Sequence, residues 1–300
     1  MRIRAGFPVV LLLAAATGRG AGGNGCLVLA TYNLENYCRA DRMTGEGYRS
    51  DYPKPEAEKL ALRSVIRRLN ADVLALQEMG GWPYLEELRR DLRAEGLDYP
   101  HAALVEAQDA DRHVALLSRP PFLKVVPHPD LEFAYRGGTE RVKRGLLEAT
   151  IPAPGGGLTL YVVHLKSHLT EHADDPEAAG RRTAESVAIR DCILRHFKDP
   201  GRARFVVMGD FNDPRGSAAL LRIEKRGQVQ VSWRLPAADT RGETWTELWR
   251  RQDAYAQLDH ILVSAALRGN VRGGAALVYD GPGTDGASDH RPLVATITFP

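Results

Sequence analysis

The chain is poor in the features that would build a cysteine–metal module or a membrane protein. Its three cysteines, Cys26, Cys38 and Cys192, contain no Cys-x-x-Cys spacing, which excludes the common cysteine zinc modules. The odd count leaves at least one thiol outside any internal disulfide, although Cys26 and Cys38 could pair across the first strand and its loop in an exported protein. Charge of one sign is also scarce. Lys and Arg number 40 against 38 Asp and Glu, a formal net charge of +2 that permits an anionic substrate without demanding nucleic acid. No Ser/Gly-rich or charged linker separates independently periodic regions, and no internal repeat is visible, so one domain is expected. The only long apolar run, Phe7 to Ala16, is too short to stay in a bilayer as a spanning helix.

That run has a role of its own. Arg2 and Arg4 precede it, and small residues with glycines carry the chain on to Gly25, which is the build of a secretory signal. Residues 1–25 are therefore expected to be a signal segment and residues 26–300 the working domain of a secreted or periplasmic protein. Cys26 follows Gly23-Asn24-Gly25 well beyond the apolar core, which argues against a lipid anchor.

At 44% hydrophobic and 26% charged, the rest is ordinary globular material organised around Arg204 to Asp213. Phe205 to Met208 reads as a buried strand, and Gly209 lets the backbone turn so that Asp210, Asn212 and Asp213 stand at its end. The same design recurs. Leu27 to Tyr32 ends in Asn33-Leu34-Glu35-Asn36, Asp72 to Leu76 in Gln77-Glu78, and Leu158 to Val163 in His164-Leu165-Lys166. Ile261 to Val263 is headed by Asp259-His260, and the final strand, Leu293 to Phe299, by Ser288-Asp289-His290. Further strands are expected over Val114 to Leu117, Leu123 to Val126 and Gly145 to Ile151. Helical periodicity marks Pro55 to Asn70, Pro83 to Glu95 and Gly180 to Phe197, while Cys38 to Pro55 reads as a long surface loop. Strands joined mostly by short loops, with a few helical crossovers, predict an α/β protein of two packed, mainly antiparallel sheets with helices outside.

Polar residues at so many strand ends would meet at one rim, and their types suit phosphate-ester hydrolysis. That reaction needs charge neutralised on the phosphoryl oxygens, a deprotonated water and a stabilised leaving oxygen. Glu78 is the hard-oxygen ligand that Mg²⁺ takes, with Mn²⁺ or Ca²⁺ as alternatives. Asp210 can orient or deprotonate the water, and Asn212 can hydrogen-bond a phosphate oxygen. The Asp289-His290 pair suits a metal or substrate contact plus a general base or phosphate donor, and Asp259 is the candidate carboxylate partner of His290. His164 is a second acid or phosphate donor. Lys166 is either a phosphate contact or a surface residue, whereas His168, His172 and His260 read as surface or structural. The cluster Arg136 to Arg144 is either a polyanion contact, with Arg144 in the substrate site, or a solvated loop.

Taken in order, Thr31 to Asn36, Leu76-Gln77-Glu78, Val163 to Ser167, Gly209 to Asp213, Leu258 to Leu262 and Ser288-Asp289-His290 resemble the motifs of the endonuclease/exonuclease/phosphatase superfamily. The resemblance spans the chain after the signal and implies a four-layered α/β sandwich with metal-dependent phosphoesterase chemistry. It implies that Asn33 binds phosphate or the metal shell, that Glu78 and Asp289 serve the metal, and that Asp210 and Asn212 position the water. It further implies that His164 contacts phosphate or acts as an acid and that Asp259 pairs with His290. The His-Leu-Lys-Ser segment resembles that of secreted bacterial nucleases. A monomeric endonuclease acting on DNA or RNA is therefore expected, the alternatives being a phosphomonoesterase, a phospholipid phosphodiesterase or a non-catalytic module of this fold.

Overall fold

Alternation along the strands gives each sheet two apolar faces, and these faces sort into three cores. The computed structural model describes residues 25–170 and 172–299. The expected signal segment, Gly25 excepted, lies outside them. One sheet runs Ala237–Ala238, Ala276–Val278, Leu293–Thr298, Cys26–Tyr37, Val73–Met79, His113–Ser118, His101–Val105. The other runs Trp233–Arg234, Asp259–Val263, Phe205–Asp210, Gly156–His164, Leu146–Ala153, Lys124–His128. Both are mainly antiparallel, but each has a parallel pair near its centre: Cys26–Tyr37 beside Val73–Met79, and Gly156–His164 beside Phe205–Asp210.

Between the sheets lie Leu29, Val73, Val114 and Leu116 from one and Leu147, Leu160, Val206 and Met208 from the other. Removing each such side chain from water contributes about 1.5–3 kcal/mol, so this inner layer fixes which strand faces point inward. Tyr32, Leu74 and Leu76 on the first sheet's outer face pack on Leu62, Ile66, Leu85 and Leu88 of helices Glu56–Leu69 and Trp82–Ala94. Tyr161, Phe205 and Val207 on the second sheet's outer face pack on Ile189 and Ile193 of helix Ala179–His196 and Leu220 of helix Ala218–Glu224. The order helix, sheet, sheet, helix is the four-layered sandwich expected.

Two expectations need correction. The surface loop at Cys38 to Pro55 contains a hairpin, Ala40–Thr44 with Gly47–Tyr52. Its residues are polar and largely exposed, so no apolar alternation announces it. Cys26 and Cys38 cannot pair, because Cys26 opens and Cys38 follows a 12-residue strand. At the extended rise that separates them by more than about 30 Å, far beyond the roughly 7 Å that a disulfide tolerates.

Candidate active site

Glycine at position 209 is what brings the organising strand into place. With φ at +147°, any Cβ there would stand 2.0 Å from the carbonyl oxygen of Val163 on the parallel neighbour. Without that side chain the strand closes on its neighbour and ends in a buried Asp210. Oδ1 of Asp210 accepts the Asn212 backbone N–H at 2.7 Å, and Oδ2 accepts Nδ2 of Asn33 at 3.0 Å and of Asn212 at 3.3 Å. Nε2 of the buried His164 lies 3.5 Å from the same Oδ2.

The first sheet meets this point through two irregular strand ends. Cys26–Tyr37 and Val73–Met79 both shift register at the rim, between Asn33 and Tyr37 and between Leu76 and Met79. Glu35, Asn36 and Glu78 take left-handed φ values of +49°, +56° and +57°, and Asn212 across the rim takes +49°. Such conformations cost non-glycine residues about 1–3 kcal/mol each and persist where the surroundings impose them. Here the bulges turn the strand ends toward each other. An oxygen of Glu78 accepts the Asn36 N–H at 2.9 Å, and Oδ1 of Asn36 accepts Nε of Arg112 at 2.6 Å.

The last motif closes the site. Nδ1 of His290 is 2.7 Å from Oδ2 of Asp259, both buried. Thr246 Oγ1 accepts the Asp259 N–H at 3.1 Å, and Ser288 Oγ accepts the His290 N–H at 3.0 Å while donating to the Asn33 carbonyl at 2.8 Å. Asp210, Asp259 and His290 each offer an atom within 4.8 Å of the others. Glu35 accepts the Asp289 N–H at 3.1 Å.

Burial and the neighbouring Asp259 push Asp210 up to about 7, against the opposing charge of His290. Burial disfavours the His290 imidazolium, but Asp259, Asp210 and Asp289 outweigh it and hold the ring protonated well above the usual range. His164 is driven far the other way by burial, helped by the charges of Arg144 and His290, so it is neutral and a hydrogen-bonding group rather than an acid. The carboxylates of Glu78 and Asp289 are the hard oxygen donors a divalent cation takes, and Glu78 lines an open cleft with Oε2 held by the Asn36 N–H.

That cleft, of about 550 Å³, is lined by Glu78 and Asn36 together with Arg112, Lys143, Arg144, Lys166 and Arg181. A neighbouring hollow that also includes Arg141 shares Lys143 and Arg181 with it. Buried Glu185 organises part of this lining by accepting the backbone N–H groups of Lys143 and Lys166 at 3.2 and 2.8 Å. Nε of Arg144 donates to Asp109 at 3.0 Å and Nη1 to the Leu165 carbonyl at 2.9 Å. Burial and the neighbouring charges of Lys143, Arg144 and Arg181 lower Lys166 to about 8.

The expected residues Asn33, His164, Asp210, Asn212, Asp259 and His290 are thus one cluster, Asp289 is joined to it through Glu35, and Glu78 bonds Asn36 at the neighbouring strand end. Lys166 and Arg144 lie in the cleft. The Asn33 amide supports Asp210 through Nδ2 and accepts the Glu35 N–H on Oδ1 at 3.0 Å, which leaves one N–H and one lone pair for the expected phosphate or metal contact. His172 is exposed, as expected, on the lining of the cleft, and His260 is structural, buried with Nε2 2.9 Å from the Asp213 carbonyl. Of the Arg136 to Arg144 cluster, Arg136 pairs with Asp174 and Arg141 with Asp130, while Lys143 and Arg144 reach the cleft. Sequence reasoning missed Arg112, Thr246 and Glu247. Glu247 bridges to His290 in an isolated backbone pairing, and burial raises its carboxyl above the usual range. Its segment is polar and aperiodic, so nothing local marked it.

Among solved structures the chain is similar to beta toxin from Staphylococcus aureus, with TM-score 0.64, 16% identity, and 90% of this chain and 99% of that one covered. It is similar to the human Nocturnin catalytic domain at TM-score 0.64 and 17% identity, covering 92% and 96%. It also resembles sphingomyelinase C from Streptomyces griseocarneus, at TM-score 0.59 and 16% identity, covering 91% and 99%. At these identities the likeness speaks for the fold. No curated protein sequence matches the chain. The model of the Endonuclease/Exonuclease/phosphatase family matches residues 30–290, a span that takes in every strand end described above except the first residues of the chain. The chain belongs to the Endonuclease/Exonuclease/phosphatase family, whose members are metal-dependent phosphoester hydrolases.

Proposed function

We propose that the protein is an exported Mg²⁺-dependent phosphodiesterase that cuts DNA or RNA as an endonuclease. The observation that carries this reading is the buried cluster of Asp210, Asp259 and His290 together with a cleft that Glu78 shares with five cationic side chains. Those five cations suit a substrate with several phosphates in a row. Glu78 and Asp289 are the residues that would hold the metal, which when bound supplies Lewis-acid neutralisation of phosphoryl charge. Asp210 takes the proton of the attacking water, a task for which a carboxyl poised near neutrality is suited. Asn212 aligns that water or a phosphoryl oxygen, and Asp259 keeps His290 charged so that it donates to a phosphoryl oxygen. Export rests on the basic head and apolar core of residues 1–25.

A second reading, a phospholipid phosphodiesterase, is favoured by the hairpin Glu247–Trp249 with Ala254–Ala256. It exposes Trp249 and Tyr255 at 51% and 52%, and its Glu247 adjoins His290. An apolar lip beside the site suits a lipid surface, although the same rings could stack on bases. The deciding experiment measures nicking of supercoiled plasmid and cleavage of RNA by the mature protein, with Mg²⁺ or EDTA, beside hydrolysis of sphingomyelin vesicles. We expect metal-dependent nicking or RNA cleavage that His290→Ala lowers by about 10²–10⁴-fold. Turnover of vesicles alone would replace the nuclease reading with the lipid one.

A further inference from the structure

A second cluster of titratable side chains lies away from the rim, under helix Ala179–His196 on the outer face of the second sheet. That face is otherwise apolar, built of Leu146, Tyr161, Val163, Phe205 and Val207. Into it the antiparallel strands Lys124–His128 and Leu146–Ala153 place His128 and Glu148 on a diagonal, the register pairing Leu146 with His128 and Glu148 with Val126. The helix supplies Cys192 and, one turn on, His196 from the same face. Nε2 of His128 stands 3.1 Å from Oε2 of Glu148 and 3.8 Å from Sγ of Cys192. Glu148 and Cys192 are buried, and none of these groups has a part in the chemistry at Asp210.

We propose that His128, Glu148 and Cys192 form a Zn²⁺ site that fastens helix Ala179–His196 to the edge of the second sheet. The three donors lie within 4.8 Å of one another. A tetrahedral zinc with ordinary bond lengths sets nitrogen and oxygen about 3.4 Å apart, and sulfur and nitrogen about 3.6 Å. The observed 3.1 and 3.8 Å need only small adjustments to meet it. A thiolate, an imidazole and a single carboxylate are the borderline-soft donors that zinc accepts, whereas Mg²⁺ takes oxygen ligands. Sγ of Cys192 also lies 3.9 Å from Nδ1 of His128, so a small turn of the ring or the thiol aims Nε2 and the sulfur at one ion.

The surroundings complete the arrangement. Nδ1 of His196 lies 3.0 Å from Oε1 of Glu148 and 2.9 Å from the Tyr161 hydroxyl, so it orients the carboxylate from outside the ligand set. His128 and His196 keep 23% and 30% of their side chains exposed, which leaves a route from solvent to the three donors. Without metal, hydrogen bonds to Cys192 and Glu148 raise His128 to about 9, so binding displaces a proton from this ring. The same helix carries Arg181 and Glu185 at its other end, both in or behind the cleft, so the fastening would steady the cationic wall.

The full mature chain, stripped by chelator and held in excess Mg²⁺, would be titrated with Co²⁺ as the probe. We expect a thiolate-to-cobalt charge-transfer band that saturates at about one equivalent per chain and is displaced by Zn²⁺. The band should persist in His290→Ala, vanish in Cys192→Ser and His128→Gln, and require about 10–100-fold more metal in His196→Ala. Absence of the band in the wild-type chain would overturn the proposal, as would its survival in Cys192→Ser, which would assign it to another thiol. The wild-type titration decides the matter even if a variant fails to fold.

Discussion

At the scale of single residues, Asp210 and His290 are both pushed up, but from different causes and to different charge states. Burial beside Asp259 leaves Asp210 near 7, while Asp259, Asp210 and Asp289 keep His290 charged. A base works only when deprotonated, so kcat/KM should rise with pH through about 7 and then level. Measuring that profile at saturating Mg²⁺ checks the assignment, since a rate independent of pH from 5.5 to 8.5 would remove Asp210 as the base. Asp259→Asn takes the carboxylate from the 2.7 Å contact with His290. We expect kcat/KM to fall by about 10²-fold with the circular dichroism spectrum unchanged; retention of full activity would detach Asp259 from the mechanism. The Asp259–His290 pairing was legible because both residues stand beside apolar runs. The support from Thr246 was not, since a threonine in an aperiodic segment looks like any loop residue.

At the scale of elements, the site depends on how strands end. The register shifts at Asn33/Tyr37 and Leu76/Met79 and the left-handed residues Glu35, Asn36 and Glu78 turn two straight strands into a facing pair. Apolar alternation located the strands but not these bends, because the bend is imposed by cross-strand fit. Gly209 stood out in the sequence as a turn, but the strand runs through it to Asp210, and what needs the glycine is the close approach to Val163. Gly209→Ala would drive a Cβ into the Val163 carbonyl, and we expect a loss of about 2–4 kcal/mol in urea unfolding together with lost activity. Gly216, whose Cβ would meet nothing within 4 Å, provides the control. There the positive φ alone should cost about 1 kcal/mol. Equal losses at the two positions would show that the close approach at Gly209 has been overrated.

For the whole molecule, burying histidines without charge makes stability depend on acidity. His260 is lowered to about 4 by burial, despite its bond to the Asp213 carbonyl. In the unfolded chain it would take up a proton near 6.5. Between those values the unfolded state binds the extra proton, so stability falls as pH drops from about 6.5 to 4, by about 3 kcal/mol from this residue. His164 acts in the same sense, and Asp210, raised when folded, in the opposite one. Comparing urea unfolding of wild type and His260→Gln at pH 7.5, 5.5 and 4.5 isolates the contribution. The variant should show the shallower acid loss, and parallel curves would exclude a neutral buried His260.

The sequence by itself determined the layers and most of the residues of the candidate site. Apolar, β-branched runs and helical periodicity are records of burial, and they placed the main strands, the three long helices and the strand-end residues from Asn33 to His290. Only the tertiary structure decided which of those ends touch. Asn33 reaches Asp210 across 177 positions, and Ser288 ties itself to the Asn33 carbonyl across 255. The cleft gathers cations from Arg112 to Arg181, and the His128, Glu148, Cys192 cluster joins two strands and a helix. A local pattern reports whether a residue faces core or solvent; its partner is set by strand order and register, which follow from the packing of the whole chain.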